Sequence, residues 1–235
     1  MKKESDMYIP VKKYFQKQGY EIHGEVLDCD MTATKDDELI IIEFKLSFNV
    51  TLIFQGIDRQ KYTNLVYLCI PKPEGKRLVG YRKLQKIKKV CTPLGFGLIT
   101  YDVKNKEIIV HNKPNFKEPT KKFYFDKIMK EINGRTMDLN TGGTTGVKIN
   151  TAYKELRFTL IFLLERDGMS TAKVLRNKYD LPNNTYRVLR NNIGEFFTKE
   201  SERGYFSVSK IGKNELRKSE NKTLYEIIKE KYSFK

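Results

Sequence analysis

Apolar residues in this chain recur with two periods, and the switches between the periods mark out its elements. Met7, Val11, Tyr14 and Phe15 fall at helical spacing between a capping candidate, Ser5, and a stop, Gly19. They predict an amphipathic helix of about three turns, with Pro10 arguing for a late start. EIHGEVLDCDMTAT and LIIIEFKLSF, separated by the polar KDDE, then predict two strands around a tight turn. LIFQGIDRQKYTN returns to helical spacing and LVYLCIP reads as a buried strand, so the first unit runs helix, strand, strand, helix, strand.

The segment PKPEGKRLVGYRKLQKIKKV holds eight Lys or Arg against one Glu, and GFGLITYDV with KEIIVHN predicts a second hairpin. Residues 114–150 show little periodicity and end in NTGGTTGVKIN, the composition of a linker. From Thr151 the pattern is helical through TAYKELRFTLIFLLERDG, then STAKVLRNKY with Ser170 as its cap, then NNTYRVLRNNI. Two short strands, EFFTKE and GYFSVS, flank a SERG turn, and three helices with a hairpin predict a winged helix-turn-helix. The expected plan is a first domain over 1–115, a linker over 116–150, the winged helix over 151–220, and a C-terminal helix or tail over 221–235.

With 235 residues and 39% hydrophobic content, the chain can bury a sizeable core. No apolar run approaches the roughly 20 residues that cross a bilayer, and MKKESDMYIP carries acids where a signal peptide has its apolar core. A cytoplasmic protein is therefore expected. Cys29, Cys69 and Cys91 lie in or beside apolar segments with no CxxC spacing, which predicts buried free thiols. His23 and His111 are far apart in sequence, and structural roles are expected for both. A net charge of +16 points to a polyanionic partner, nucleic acid before others.

Two charges interrupt the apolar LIIIEFKLSF, Glu43 and Lys45. Alternation puts Leu27, Cys29, Met31 and Ala33 on one face of the first strand, and Ile40, Ile42, Phe44 and Leu46 on one face of its partner. A turn centred between Asp36 and Asp37 brings those faces together, and it sets Asp30 opposite Glu43 and Asp28 opposite Lys45. Carboxylates facing each other across strands, with Cβ atoms roughly 5 Å apart, repel and either share a proton or hold a cation. A hard divalent ion such as Mg²⁺ takes oxygen ligands and keeps several waters, so Asp30 and Glu43 with one carbonyl suffice. Lys45, on the same face, can orient a water or neutralise charge at a phosphate. The charges would then line a cleft beside the core without entering it. The alternative is an ordinary solvated face on which Asp28 and Lys45 form an ion pair.

GYEIHGEVLDCD, IIIEFKLSF, QGIDRQ and VYLCIPKP together resemble the PD-(D/E)xK phosphodiesterase superfamily, whose fold is restriction-endonuclease-like. The match is closest to a bacterial family in which this core precedes a helical C-terminal region. It runs from ESDMYIPVK to the stretch around NNIGEFF and is weakest over 114–140. The resemblance implies an α/β (α+β) fold with a mixed central sheet flanked by helices. It implies that Asp30 and Glu43 are metal-binding acids, Lys45 the catalytic lysine, Glu4 an accessory acid on the first helix, and Gln55 a site glutamine after the lysine strand. Cys29 stands where the motif's name has proline, a position that varies widely. Gln55 has a structural alternative, an amide bonded to backbone. Arg59, one turn further on, can steer phosphate or pair with an acid.

Arg82, Lys83, Lys86, Lys88 and Lys89, with Leu84, Ile87 and Val90 as an apolar seat, predict a short basic helix against a nucleic-acid backbone. In the winged helix, Asn183, Asn184, Tyr186, Arg187 and Arg190 are the expected groove readers, with Lys199 and Arg203 reaching phosphate from the wing. The reading that follows is a Mg²⁺-dependent nuclease, with Mn²⁺ as the alternative ion, positioned on DNA by its second domain. A non-catalytic DNA-binding regulator on a nuclease scaffold is the competing reading, and a protein-docking module is a third. A homodimer is an added expectation, because many duplex cutters use two sites.

Overall fold

The computed structural model describes residues 1, 3–73, 77–118, 120–135, 139–143 and 149–233. Parts of the PKPEGKR and NTGGTTGVKIN stretches lie outside the described residues. The chain divides into two compact units: one runs over 1–133 and takes in 139–143 and 149, and the other takes in 134–135 and 150–233.

The first unit opens with a 3₁₀ turn, Glu4–Met7, running into α1, Tyr8–Gln16. The turn is capped by Lys3, whose N–H donates to Asp6 Oδ2 at 3.1 Å, not by Ser5. Pro10 is accommodated because it is the third residue of α1, where its missing N–H had no intrahelical partner to lose. Gly19, at φ 87°, turns the chain into the sheet.

Six strands lie in sequence order: β1 Glu21–Val26, β2 Cys29–Lys35, β3 Glu38–Phe44, β4 Leu65–Pro71, β5 Gly97–Asp102 and β6 Glu107–Asn112. β3, β4 and β5 are mutually parallel, and the pairs at both ends are antiparallel. α2, Val50–Arg59, and α3, Arg77–Cys91, make the crossovers that parallel strands require. The segment expected as the first strand is itself a hairpin, β1 and β2, turning at Leu27–Asp28.

The β2–β3 register agrees with the expected one: Met31 faces Ile42, Ala33 faces Ile40 and Lys35 faces Glu38, around a turn at Asp36–Asp37. The facial argument needs two corrections. Met31 and Ala33 pack with α1, but Cys29 joins the cluster on the other side of the sheet. Alternation breaks because Glu25 and Leu27 have φ of 50° and 54°, and pairing passes from Gly24–Met31 to Val26–Cys29. The face that carries Glu43 is not solvated either. Leu39 and Ile41 on β3 are buried with Leu52 of α2, Ile87 and Cys91 of α3, and Ile128 and Ile132 of a further helix, α4, Lys122–Asn133. A strand with a parallel neighbour is roofed by crossover helices, so both of its faces are core.

α4 lies inside the segment expected as a linker, and its apolar residues Tyr124, Phe125, Ile128, Met129 and Ile132 belong to the first unit's core. Residues 139–143 also pack on this unit: a Cβ at Gly142 would overlap the Asp30 carbonyl and meet the Tyr8 ring, and Gly143, at φ 70°, abuts Glu4. All three cysteines are buried free thiols.

The second unit has its own core, centred on α5, Ala152–Asp167, which is capped by the Thr151 hydroxyl. α6, Ala172–Tyr179, is capped by Thr171 where Ser170 was expected, and α7, Thr185–Asn191, follows. β8, Phe197–Lys199, and β9, Tyr205–Val208, are the expected hairpin; a two-residue strand, β7, Ser170–Thr171, pairs with β9 on its other side. α8, Lys210–Leu216, and α9, Lys222–Tyr232, complete the core through Leu216, Leu224 and Ile228. Among the described residues no helix is long and apolar enough to cross a membrane.

Candidate active site

The β2–β3 register, carried one step past Met31 and Ile42, brings Asp30 and Glu43 together. Asp30 is locked in place by accepting the Phe44 N–H on Oδ2 at 2.8 Å. Glu43 is fully buried. Its Oε1 meets Arg59 Nε at 2.8 Å, while its Oε2 has no hydrogen-bond partner. Burial raises the Glu43 pKa to about 8, with the Asp30 charge adding to the rise and Arg59 opposing it. Burial also raises Asp30, against the pull of the Phe44 N–H and of Lys45.

Lys45 is held just beyond β3 by donating its backbone N–H to Cys69 O at 3.1 Å. Its ammonium reaches Glu4 Oε2 at 3.0 Å, with both side chains only partly covered. The expected pairing of Lys45 with Asp28 is replaced by this contact, because Asp28 sits in the β1–β2 turn. The site therefore has a closed end at Glu43 and Arg59 and an open end at Lys45 and Glu4.

α2 closes the site from the side. Leu52, Gly56 and Arg59 share its inward face, and a Cβ at Gly56 would collide with Phe96. Gln55 lies next to that face, and its buried Oε1 has no hydrogen-bond partner. The backbone-bonded alternative for its amide oxygen is therefore not what is found. Arg59, expected at a phosphate or a surface acid, is instead buried with its Nε on Glu43, and its Nη2 donates to the Asp28 carbonyl. Its place was readable from the spacing of Leu52, Gly56 and Arg59. The glycines at 142 and 143, which pass over Asp30 and Glu4, carried no comparable signal.

Two like-charged carboxyls in a low-dielectric site, with an unpartnered acceptor on Glu43, suit a hard cation. Among the described residues no group of three or more His, Cys, Asp or Glu side chains is arranged to hold a metal, so any ion here would complete its shell with carbonyl, amide or water oxygens. The donor set fits a Mg²⁺-type ion on those terms.

The basic residues fall in two separate places. Arg82, Lys83, Lys86 and Lys89 are exposed on α3 and Lys88 is half-buried, with Ile87 and Cys91 buried beneath them; Val90, expected in the seat, is exposed. In the second unit Tyr186, Arg187 and Arg190 are exposed on α7, Asn184 forms its N-cap, and Asn183 accepts from Arg176. Lys199 and Arg203 are exposed on the β8–β9 hairpin. His23 and His111 stand outside the carboxylate site; His111 Nε2 lies 2.7 Å from the Thr100 hydroxyl.

Asp30 on β2, Glu43 on β3 and Lys45 just beyond it are thus gathered on neighbouring strands of a mixed sheet roofed by helices. The sequence profile of one family, described as "Putative PD-(D/E)XK phosphodiesterase (DUF2161)", matches residues 98–215, and the chain belongs to that family. The matched span starts in β5 and ends in α8, so Asp30, Glu43 and Lys45 lie N-terminal to it. No curated protein and no solved structure matches the chain.

Proposed function

We propose that the protein is a Mg²⁺-dependent nuclease that hydrolyses DNA phosphodiester bonds. The observation that carries this is the unpartnered buried acceptor Glu43 Oε2 next to the Asp30 carboxylate, which also feels the charges of a Lys45–Glu4 pair that opens to solvent. Asp30 and Glu43 would hold the ion, which supplies Lewis acidity toward a phosphoryl oxygen when bound. Lys45 orients the attacking water or offsets charge on the phosphate, and Glu4 holds its ammonium in place. Gln55 gives an amide to the same pocket, and Arg59 fixes the rotamer of Glu43.

The second unit acts in this reading as a winged helix-turn-helix, with α6 and α7 as the helix pair and β8–β9 as the wing. Tyr186, Arg187 and Arg190, with Asn183 and Asn184 at the head of α7, meet base edges, and Lys199 and Arg203 meet phosphate. Arg82, Lys83, Lys86, Lys88 and Lys89 add sequence-independent affinity. A homodimer would set two such sites on one duplex, and light scattering with chromatography tests it.

The competing reading, a non-catalytic DNA-binding regulator, draws on one observation: Arg59 occupies an oxygen of Glu43 that a metal would use. Cleavage of plasmid, linear duplex, single-stranded DNA and RNA with Mg²⁺ or Mn²⁺ separates the two. Wild type is expected to cut DNA, with Asp30→Ala and Lys45→Ala losing at least ~100-fold. A wild type that cuts nothing, or variants that cut equally well, would sink the catalytic assignment.

A further inference from the structure

Beyond Lys45 the chain enters a cleft of about 690 Å³, in the ~300–1,000 Å³ range of sites that enclose small ligands. It lies at the carboxyl ends of the parallel strands β3, β4 and β5, where open α/β sheets bind ligands. Leu46 and Phe48 follow the catalytic lysine along one wall, and Val103 follows β5 along another. Ile87 of α3 is buried in its floor. Phe48 is half-buried, and Leu46 and Val103 are exposed at 42% and 43%.

The charges around these apolar walls are of one kind. Lys72, Lys83 and Lys104 line the cleft against a single carboxylate, Asp102. That carboxylate is already engaged by Lys72 at 2.5 Å, by the backbone N–H groups of Lys104 and Asn105, and by the Asn105 amide. Lys83 and Lys104 have no ion-pair partner among the described residues. An apolar slot with two unspent ammonium groups, one wall of which starts at the residue after Lys45, suits one chemistry: a base and sugar against the walls and a phosphate at the rim.

We propose that this cleft seats the nucleotide next to the scissile phosphate, with its base on Leu46, Phe48 and Val103 and its outer phosphate between Lys83 and Lys104. The assignment rests on the phosphodiesterase reading of the neighbouring site. It adds a subsite that a catalytic acid, acid, lysine set does not specify.

The chain contains no tryptophan, so Val103→Trp places a single reporter in the cleft. A short oligothymidylate titrated in EDTA at low salt is expected to quench that emission as its base stacks, and anisotropy of a labelled oligothymidylate gives the affinity separately. Leu46→Trp serves as the reporter if Val103→Trp does not fold. Lys83→Glu with Lys104→Glu is expected to weaken binding on the order of tenfold or more, while Lys130→Glu, on the exposed side of α4, leaves it within about twofold. Binding without quenching, equal affinities for the rim and α4 variants, or no binding at all would overturn the cleft. Cleavage by wild type is scored in parallel. Quenching without cleavage would remove the nuclease reading and keep the cleft, whereas cleavage without quenching would do the reverse.

Discussion

At the scale of single residues, the site is governed by the conflict between a buried carboxylate and its neighbours. Glu43 binds its proton more tightly in the native state than in the unfolded chain, so the native protein holds the extra proton between the ordinary glutamate value, 4.5, and about 8. Stability then falls as pH rises through that window, at no more than about 1.4 kcal/mol per pH unit from this group. Melts in EDTA should drop from pH 5.5 to pH 8. Glu43→Gln should flatten the drop, and Mg²⁺ should restore wild type at pH 8 but not the variant. A Glu43→Gln profile parallel to wild type would show that Glu43 titrates normally. The register that opposes Asp30 to Glu43 was legible because alternation and one turn determine it. The burial of Glu43 was not, because it depends on three separate helices, α2 close by and α3 and α4 from further along the chain, packing together on that face. Arg59 was legible only in part: its spacing sets it inward, but nothing local names its partner.

At the scale of elements, the misread segments are those whose local signal is missing or masked by their flanks. The β1–β2 turn is built from Leu27 at φ 54° and Asp28, without the Asn-Gly or Asp-Gly pair that announces such turns. α4 does carry a helical stripe, but Lys121, Lys122 and an uneven flanking sequence conceal it in a segment that otherwise lacks periodicity. The stretch 139–143 is the clearest case. Its composition is that of a flexible connector, yet the missing side chain of Gly142 is what lets it lie on the Asp30 carbonyl and the Tyr8 ring. A methyl group there has to displace backbone, which costs roughly 1–3 kcal/mol. Gly142→Ala should therefore lower the urea midpoint of the first unit and speed amide exchange over 139–143 and around Asp30. Unchanged exchange there would mean that the contact does not hold the segment down.

At the scale of the whole molecule, the net charge of +16 predicts polyanion binding without saying which surface provides it. The two exposed basic sets differ in what surrounds them, and that difference gives them different roles. On α3 the charges are mostly lysines on a helix of the first unit, beside the cleft lined by Leu46 and Phe48. On α7 two arginines and Tyr186 stand on a short helix with asparagines at its head, groups able to read base edges. Lys86→Ala with Lys89→Ala should weaken all DNA sequences alike and reduce the slope of log K against log salt by about one for each phosphate no longer neutralised. Arg187→Ala with Arg190→Ala should also lower affinity for duplex. Its effect should vary with sequence across a randomised pool, by ~1–3 kcal/mol at each base read, and cleavage of a short single strand should be spared. If the α7 variant weakens binding uniformly and the α3 variant does not, the roles are exchanged. If neither changes the salt slope, the positive charge is general to the surface, and neither helix is a nucleic-acid interface.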